Sequence, residues 1–375
     1  MAGSFRAFSR SIFILLNLLI AIAFIVASYV SWFNPVKYWY LGLLNVGAFY
    51  LLAGLLIFLI VWIIARKRYV FISIICLVIT WGPIQNLFPL RLPYKFEIQK
   101  NTEGLRFMSW NVNHFDIQEH KTHPEVKQQM INLINRLDPD IACFQEMVAS
   151  DSITPAINYL PDFLQQFKMK WEYFSYDPKI DFDDAHHFGI ITFSKYPIIN
   201  RKTFSYPPHN YNSIFQYLDI VKGSDTFRIF NIHLQSLRFS TSNLKYIDDP
   251  SFKNQEDLEK SKNVLHKFKA GFLKREVQSG HIKTEMEKSP YPVIVCGDFN
   301  DLPNSYAYNH IGSGLKNAFK EKGWGAGRTF SGISPTLRID NIFVDPVFKV
   351  NQYTRIEKKL SDHFPIVADI VKEKQ

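Results

Sequence analysis

Residues 292–301 read PVIVCGDFND. A short apolar, β-branched run, Pro292 to Cys296, gives way at once to Gly297, Asp298, Phe299 and Asn300. Unbroken apolarity over so few residues predicts a strand buried on both faces. An acid or amide at the end of such a strand is badly placed for packing and well placed to line a site at a sheet's rim. In an extended segment Asp298 and Asn300, two residues apart, are expected to point to one side. There the carboxylate can hold or deprotonate a water while the amide donates to an oxyanion. Gly-Asp followed by Asn-Asp is also good turn chemistry, so the motif alone leaves a plain turn open.

The same arrangement recurs on either side of it. FMSW (107–110) is followed by Asn111, IACF (141–144) by Gln145 and Glu146, and RIFNI (228–232) by His233. Arg338, Ile339 and Asp340 immediately precede NIFV (341–344), and Ser361, Asp362 and His363 precede the run that includes PIVADIV (365–371). Two further runs of the same type are GIITF (189–193) and YLDIV (217–221). Helical patterns fall at 124–137, with Pro124 suited to a first turn, and at about 255–288. The charged stretch 241–290 reads as a solvated helical excursion. Together, residues from about Leu105 onward predict one α/β domain.

Taken singly, these groups have ordinary alternatives. Glu146 is a natural hard-cation ligand or a solvated loop acid. His363 beside Asp362 would want a second carboxylate to fix its tautomer, for which Asp340 is the candidate; His233 is similar, or a satisfied core histidine. His186 and His187 in the acidic loop DFDDAHH, and the basic pair Lys358-Lys359, read as surface.

The first ninety residues differ in kind. They contain Arg6, Arg10, Lys37, Arg66, Lys67 and Arg68 and no acid, a charge of +6, whereas the rest of the 375-residue chain carries an excess of only +3. That small excess argues against a strongly basic nucleic-acid-binding domain. Cys76, Cys143 and Cys296 have neither zinc-ligand nor CxxC spacing and are too few for a disulfide framework. Apolar runs at 12–33, 39–65 and 69–90 approach or exceed the roughly 20 residues that a span requires. The third weakens at Gly82-Pro83 and Gln85-Asn86. The first is too long for the apolar region of a cleaved leader, and two more runs follow it. Expected here is a membrane domain over 1–91 of about three helices, a linker over 92–104 and a catalytic domain over 105–375. Basic flanks stay in the cytoplasm, so three spans put the N-terminus inside and the large domain outside; a re-entrant third run would leave that domain cytoplasmic.

The succession MSWNVN, FQEM, FSKYPI, NIHL, GDFND, RIDNIFV and SDHFPI resembles the endonuclease/exonuclease/phosphatase superfamily from about Arg106 to Asp369. The resemblance implies a four-layer α/β sandwich of the deoxyribonuclease I type, here preceded by transmembrane helices, and cleavage of a phosphoester dependent on Mg²⁺ or Mn²⁺. By the same resemblance Glu146 is the principal metal ligand, supported by Asn111, which also contacts the phosphate, and Asp362 is a further metal-site carboxylate. Asp298 orients or deprotonates the attacking water, and Asn300 hydrogen-bonds the phosphoryl oxygens. His363, oriented by Asp340, contacts the scissile phosphate or shuttles a proton, and His233 meets the phosphate or leaving group. Asn113 stands where some nuclease relatives carry an acid. Gly325, Gly327 and Thr329 resemble the family's substrate-side loop.

The chemistry is coherent without the family. A phosphodiester repels hydroxide, so catalysis has to neutralise its non-bridging oxygens and hold a water in line, which a divalent cation with amide and imidazole donors does. The expected function is therefore a membrane-anchored phosphoesterase. Its partners would be the bilayer and a phosphoester substrate: a lipid head group, nucleic acid or nucleotide. The sequence gives no evidence for a protein partner. Two alternatives remain: a nuclease acting on DNA or RNA, and a catalytically inactive binding module presented by the membrane. Against the latter, all the core acid, amide and imidazole positions are occupied.

Overall fold

A computed structural model describes residues 2–100, 103–119, 121–150, 158–180, 186–205, 214–251 and 253–373. Its strands are β1 (Leu105–Asn111), β2 (Ile141–Ala149), β3 (Trp171–Tyr176), β4 (His187–Ser194), β5 (Ile198–Ser205) and β6 (Ile214–Lys222). They continue with β7 (Asp225–His233), β8 (Val293–Asp298), β9 (Lys316–Asn317), β10 (Asp340–Val344), β11 (Phe348–Arg355) and β12 (Ile366–Lys372). These form two six-stranded sheets, ordered β11-β12-β1-β2-β4-β3 and β5-β6-β7-β8-β10-β9. Most neighbours are antiparallel, but β1 pairs with β2 and β7 with β8 in parallel.

Side chains alternate across a strand, and here both faces are covered. Phe107, Ile141, Cys143, Ile229, Ile294, Cys296 and Ile342 meet between the sheets. Their alternates Met108, Trp110, Ala142 and Phe144 pack outward with the helix Glu125–Leu137. Val293, Val295 and Phe230 pack outward against Ile282 and Met286 of the long helix Gln255–Glu287. Helix, sheet, sheet and helix make the expected mixed α/β sandwich.

The charged stretch 241–290 is not simply a solvated excursion. Its long helix buries Arg275, Gln278, Ser279 and Ile282 against the second sheet and the loops that follow β7 and β8. Edge strands β5 and β11 escaped the sequence reading because polar residues interrupt them.

Among the described residues one unbroken helix, Ala7–Ser28, is long and apolar enough to cross a membrane. For the expected domain of about three membrane helices, the structure has one such helix and two bent pairs. The second run is bent by 54° between Pro35–Val46 and Ala48–Ile64, and the third by 74° between Val70–Ile79 and Trp81–Leu87. The break in the third run has a backbone cause. Pro83 has no N–H to offer the Ile79 carbonyl, which accepts instead from the Tyr29 hydroxyl at 2.5 Å.

These helices dock directly on the sandwich. Arg338, 1 % exposed, donates to the carbonyls of Asn86, Leu87 and Ala326 and lies over the Phe319 ring at 4.2 Å. The Asn45 amide donates to Pro303 O at 2.9 Å, and that of Asn86 to Asn304 Oδ1 at 2.8 Å. Removing residues 1–91 would take two of the three carbonyl acceptors from the Arg338 guanidinium, and a hydrogen bond to a charged group is worth about 1.5–3 kcal/mol net. The truncated chain should therefore melt several degrees below the full chain in the same detergent; equal melting temperatures would contradict this coupling.

Candidate active site

Strand parity carries the polar termini inward. Asn111 shares a face with Leu105 and Phe107, Asp298 with Ile294 and Cys296, and Asp340 with Ile342 and Val344, all of them residues of the inter-sheet core. Asp298 lies opposite His233 in the β7–β8 register and opposite Asp340 in the β8–β10 register. Three of the candidate residues are thus neighbours through backbone pairing alone.

Glu146 breaks the parity rule. Regular alternation would send it outward with Ala142 and Phe144, but β2 is bulged between Phe144 and Met147, and Glu146 has φ +54°. A bulge re-aims one side chain at the cost of one ladder pair, and here it turns the carboxylate to the site. Asn111 Nδ2 then donates to Glu146 Oε1 at 3.1 Å and to Asp298 Oδ2 at 3.2 Å.

Asn300 departs from expectation. Its φ is +48°, so it does not continue an extended segment with Asp298. Instead its N–H donates to Asp298 Oδ1 at 2.8 Å, an Asx turn, while its side-chain amide donates to Leu234 O at 2.9 Å. Turn chemistry and site chemistry coincide in this segment.

Two imidazoles flank Asp298. His233 Nε2 lies 3.5 Å from Asp298 Oδ2 and 3.7 Å from Glu146 Oε1. His363 Nε2 lies 3.7 Å from Asp298 Oδ2, and its Nδ1 is 2.9 Å from Asp340 Oδ2. The loop carrying His363 is pinned by Trp110 Nε1, which donates to His363 O at 2.9 Å, and by Ser361 Oγ, which donates to Asn111 O at 2.8 Å. The Thr329 hydroxyl accepts from the N–H groups of Ile339 and Asp340 at 3.0 and 3.1 Å. Phe330 lies 5.0 Å from the His363 ring, centroid to centroid.

The electrostatics separate these groups. Burial pushes the Asp298 carboxyl up to about 7, against the pull of His363. Burial opposes the charging of His363, but the Asp340 and Asp298 carboxylates outweigh it and raise that imidazole to about 10. Burial, reinforced by His363, lowers His233 to about 3. At neutral pH one imidazole is a cation and the other neutral. Burial also raises Glu146.

Asp298, Asp340 and His363 bring ligand-type atoms within 4.8 Å of one another. Within that trio His363 Nδ1 and Asp340 Oδ2 already satisfy each other at 2.9 Å, while Asp298 stays 3.7 Å from His363 Nε2. A divalent cation fits better beside Glu146, whose charge burial opposes and whose oxygen donor suits a hard ion such as Mg²⁺ or Mn²⁺. Asn111 presents its amide nitrogen to the carboxylates, and its Oδ1 accepts from Asn113 N at 3.1 Å, so in this arrangement it supports Glu146 as a donor and not as an oxygen ligand. Asp362 stands apart from the trio: it is exposed, and its Oδ1 accepts from Ser361 Oγ at 3.2 Å.

Sequence reasoning missed several residues here. Arg275 joins Asp301 Oδ2 at 3.1 Å and Gln235 O at 2.9 Å, tying together the loops after β8 and β7. Gln278 Oε1 accepts from Gln235 N at 2.9 Å. Nothing in the Lys- and Glu-rich pattern of their helix marks either residue as buried. His114 follows Asn113 in a left-handed turn, and burial lowers it to about 4. His187 is half-buried and stacks on Tyr176 at 4.1 Å.

A model of the Endonuclease/Exonuclease/phosphatase family matches residues 108–363, and one of a domain of unknown function (DUF8431) matches residues 10–87. No curated protein matches the chain. Similar solved structures include an endonuclease/exonuclease/phosphatase from Beutenbergia cavernae DSM 12333, at 17 % identity and TM-score 0.48, covering 72 % of each chain. Truncated Caenorhabditis elegans TDP2 is 17 % identical with TM-score 0.49, over 72 % of this chain and 98 % of that one. The human Nocturnin catalytic domain with bound sulfate anion is 16 % identical with TM-score 0.49, over 72 % and 94 %.

Proposed function

The chain belongs to the endonuclease/exonuclease/phosphatase family, a hydrolase that acts on ester bonds, and on that premise we propose that it is a membrane-anchored, divalent-cation-dependent phosphoesterase. The observation that carries this reading is one amide, Asn111, bridging Glu146 and Asp298 while two imidazoles approach the same Asp298 oxygen. Such a constellation has no packing rationale and a clear chemical one.

Glu146, supported by Asn111, would hold a Mg²⁺ or Mn²⁺ ion, which when bound supplies charge neutralisation on the phosphate. Asp298, with its carboxyl near 7, is matched to taking a proton from water at neutral pH. His363, charged and fixed through Nδ1 by Asp340, presents Nε2–H to a phosphoryl oxygen or to the departing one. Neutral His233 offers a second contact, and Asn300 holds the loop beside the phosphate through Leu234. Asp362 serves as an outer carboxylate.

In this reading residues 1–91 form the membrane domain, with each bent pair serving as one broken span, 92–104 the linker and 105–375 the catalytic domain. The basic turn Arg66–Arg68 lies at the end of Ala48–Ile64 away from its contact with the sandwich, where Tyr50 OH meets Ser334 Oγ at 3.0 Å. Basic turns stay cytoplasmic, which favours a catalytic domain outside the cytoplasm. The full chain should stay with membranes through alkaline carbonate, and a C-terminal reporter active only outside the cytoplasm should be active. Release by carbonate would overturn the anchor, and a silent reporter the orientation.

A further inference from the structure

The loop that carries Asp298 and Asn300 rests on the ends of the apolar helices. Asn45 reaches Pro303 O, and Asn86 reaches Asn304, within four residues of Asn300. Residues 29–42 join the first apolar helix to the second and expose Trp32, Val36 and Tyr40, at 79 %, 62 % and 51 %. Exposed aromatic residues between two spans mark the level of lipid head groups.

The long helix Gln255–Glu287 presses on this segment. Lys269 Nζ is 5.6 Å from the Trp39 ring centroid. Gly42 faces Phe272 so closely that a Cβ there would lie 2.8 Å from the ring. One turn beyond Phe272, Arg275 holds Asp301. A small cavity bounded by Phe33, Trp39, Asn45, Phe272 and Asp301 spans the same junction. The helix therefore carries the chain from head-group level to the residue next to Asn300 in a single turn. Its stretch 260–275 holds Lys260, Lys262, Lys267, Lys269, Lys274 and Arg275 and no acid, with Lys262 and Lys269 exposed.

We propose that the substrate is a phospholipid, whose head-group phosphodiester the site takes from the leaflet in which the apolar helices end, with the lysine face of the long helix resting on that leaflet. The inference rests on the membrane-anchored phosphoesterase reading above and adds the substrate class. A site set against the bilayer meets a phosphate held at fixed depth, and juxtamembrane lysines attract anionic head groups. In the reaction a water oxygen bonds to phosphorus and one phosphorus–oxygen ester bond breaks. Asp298 takes a proton from the water, and the departing oxygen takes one from His363. The proton then returns from Asp298 to the imidazole 3.7 Å away. One water is consumed, and an alcohol and a phosphomonoester are formed.

The test uses the full chain in nanodiscs with Mg²⁺ or Mn²⁺, each made from phosphatidylcholine plus phosphatidylglycerol, phosphatidylethanolamine or sphingomyelin. Bis(p-nitrophenyl) phosphate serves as the soluble diester. A phosphomonoester signal growing in the ³¹P NMR spectrum of at least one lipid is expected. The Lys262→Gln/Lys269→Gln variant should lower the ratio of lipid to soluble-diester turnover, by about fivefold per lysine on an anionic leaflet. Soluble-diester cleavage with no lipid phosphomonoester in any nanodisc would overturn the lipid substrate and leave the phosphoesterase standing. Cleavage of neither would overturn both, and an unchanged ratio would overturn the role of the lysine face.

Discussion

Asp298→Asn should lower turnover of a soluble phosphodiester by about 10³ while raising the melting temperature at pH 8. The first effect follows from its position. Asp298 is the one carboxylate that Asn111, His233 and His363 all approach, and loss of a positioned general base costs about 10²–10⁴ in rate. The second follows from its environment. Burial raises the carboxyl to about 7 even against His363, so its ionisation works against the fold. A carboxyl raised in this way contributes stability that is complete below its unfolded value of 3.8 and is lost as pH climbs through about 7. Asparagine removes that loss, so the gain over the native chain, measured in chelator, should be largest at pH 8 and narrow toward pH 4. A variant that is inactive and also less stable at pH 8 would contradict the assignment.

Glu146→Gln is expected to have the next largest effect, a fall of about 10²–10³ in rate with a rise in the Mg²⁺ concentration needed for half-maximal activity. The isosteric amide keeps the bulged backbone and its φ of +54°, so folding is preserved and the loss reports charge alone. Calorimetric titration of Mg²⁺ into the variant separates binding from chemistry. Native-like metal affinity would show that the cation is held elsewhere, for instance by the Asp298–Asp340–His363 trio.

Much of this site was legible in sequence because strand parity is simple. Asn111, His233, Asp298 and Asp340 each end or begin an apolar run, and counting back in twos lands on core residues such as Phe107, Ile229, Cys296 and Ile342. Parity fails at Glu146, where only the β2 bulge brings the carboxylate in, and no local residue pattern announces that bulge. It fails again at Asn300, where a left-handed turn replaces an extended one. Arg275 was hidden by composition: in a helix rich in Lys and Glu, a cation that buries itself against Asp301 looks like its solvated neighbours. Pro83 was visible as a weak point of the third apolar run, but not that its missing N–H would free Ile79 O for Tyr29 and bend the run there.

The central claim is that Glu146, Asn111, Asp298 and the two imidazoles form a single centre that hydrolyses a phosphoester with the help of a divalent cation. It is tested most directly by following bis(p-nitrophenyl) phosphate hydrolysis by the full chain through removal and return of metal. Activity that vanishes in chelator and returns with Mg²⁺ or Mn²⁺ is the result predicted; hydrolysis indifferent to chelator, or none with either ion, would contradict it.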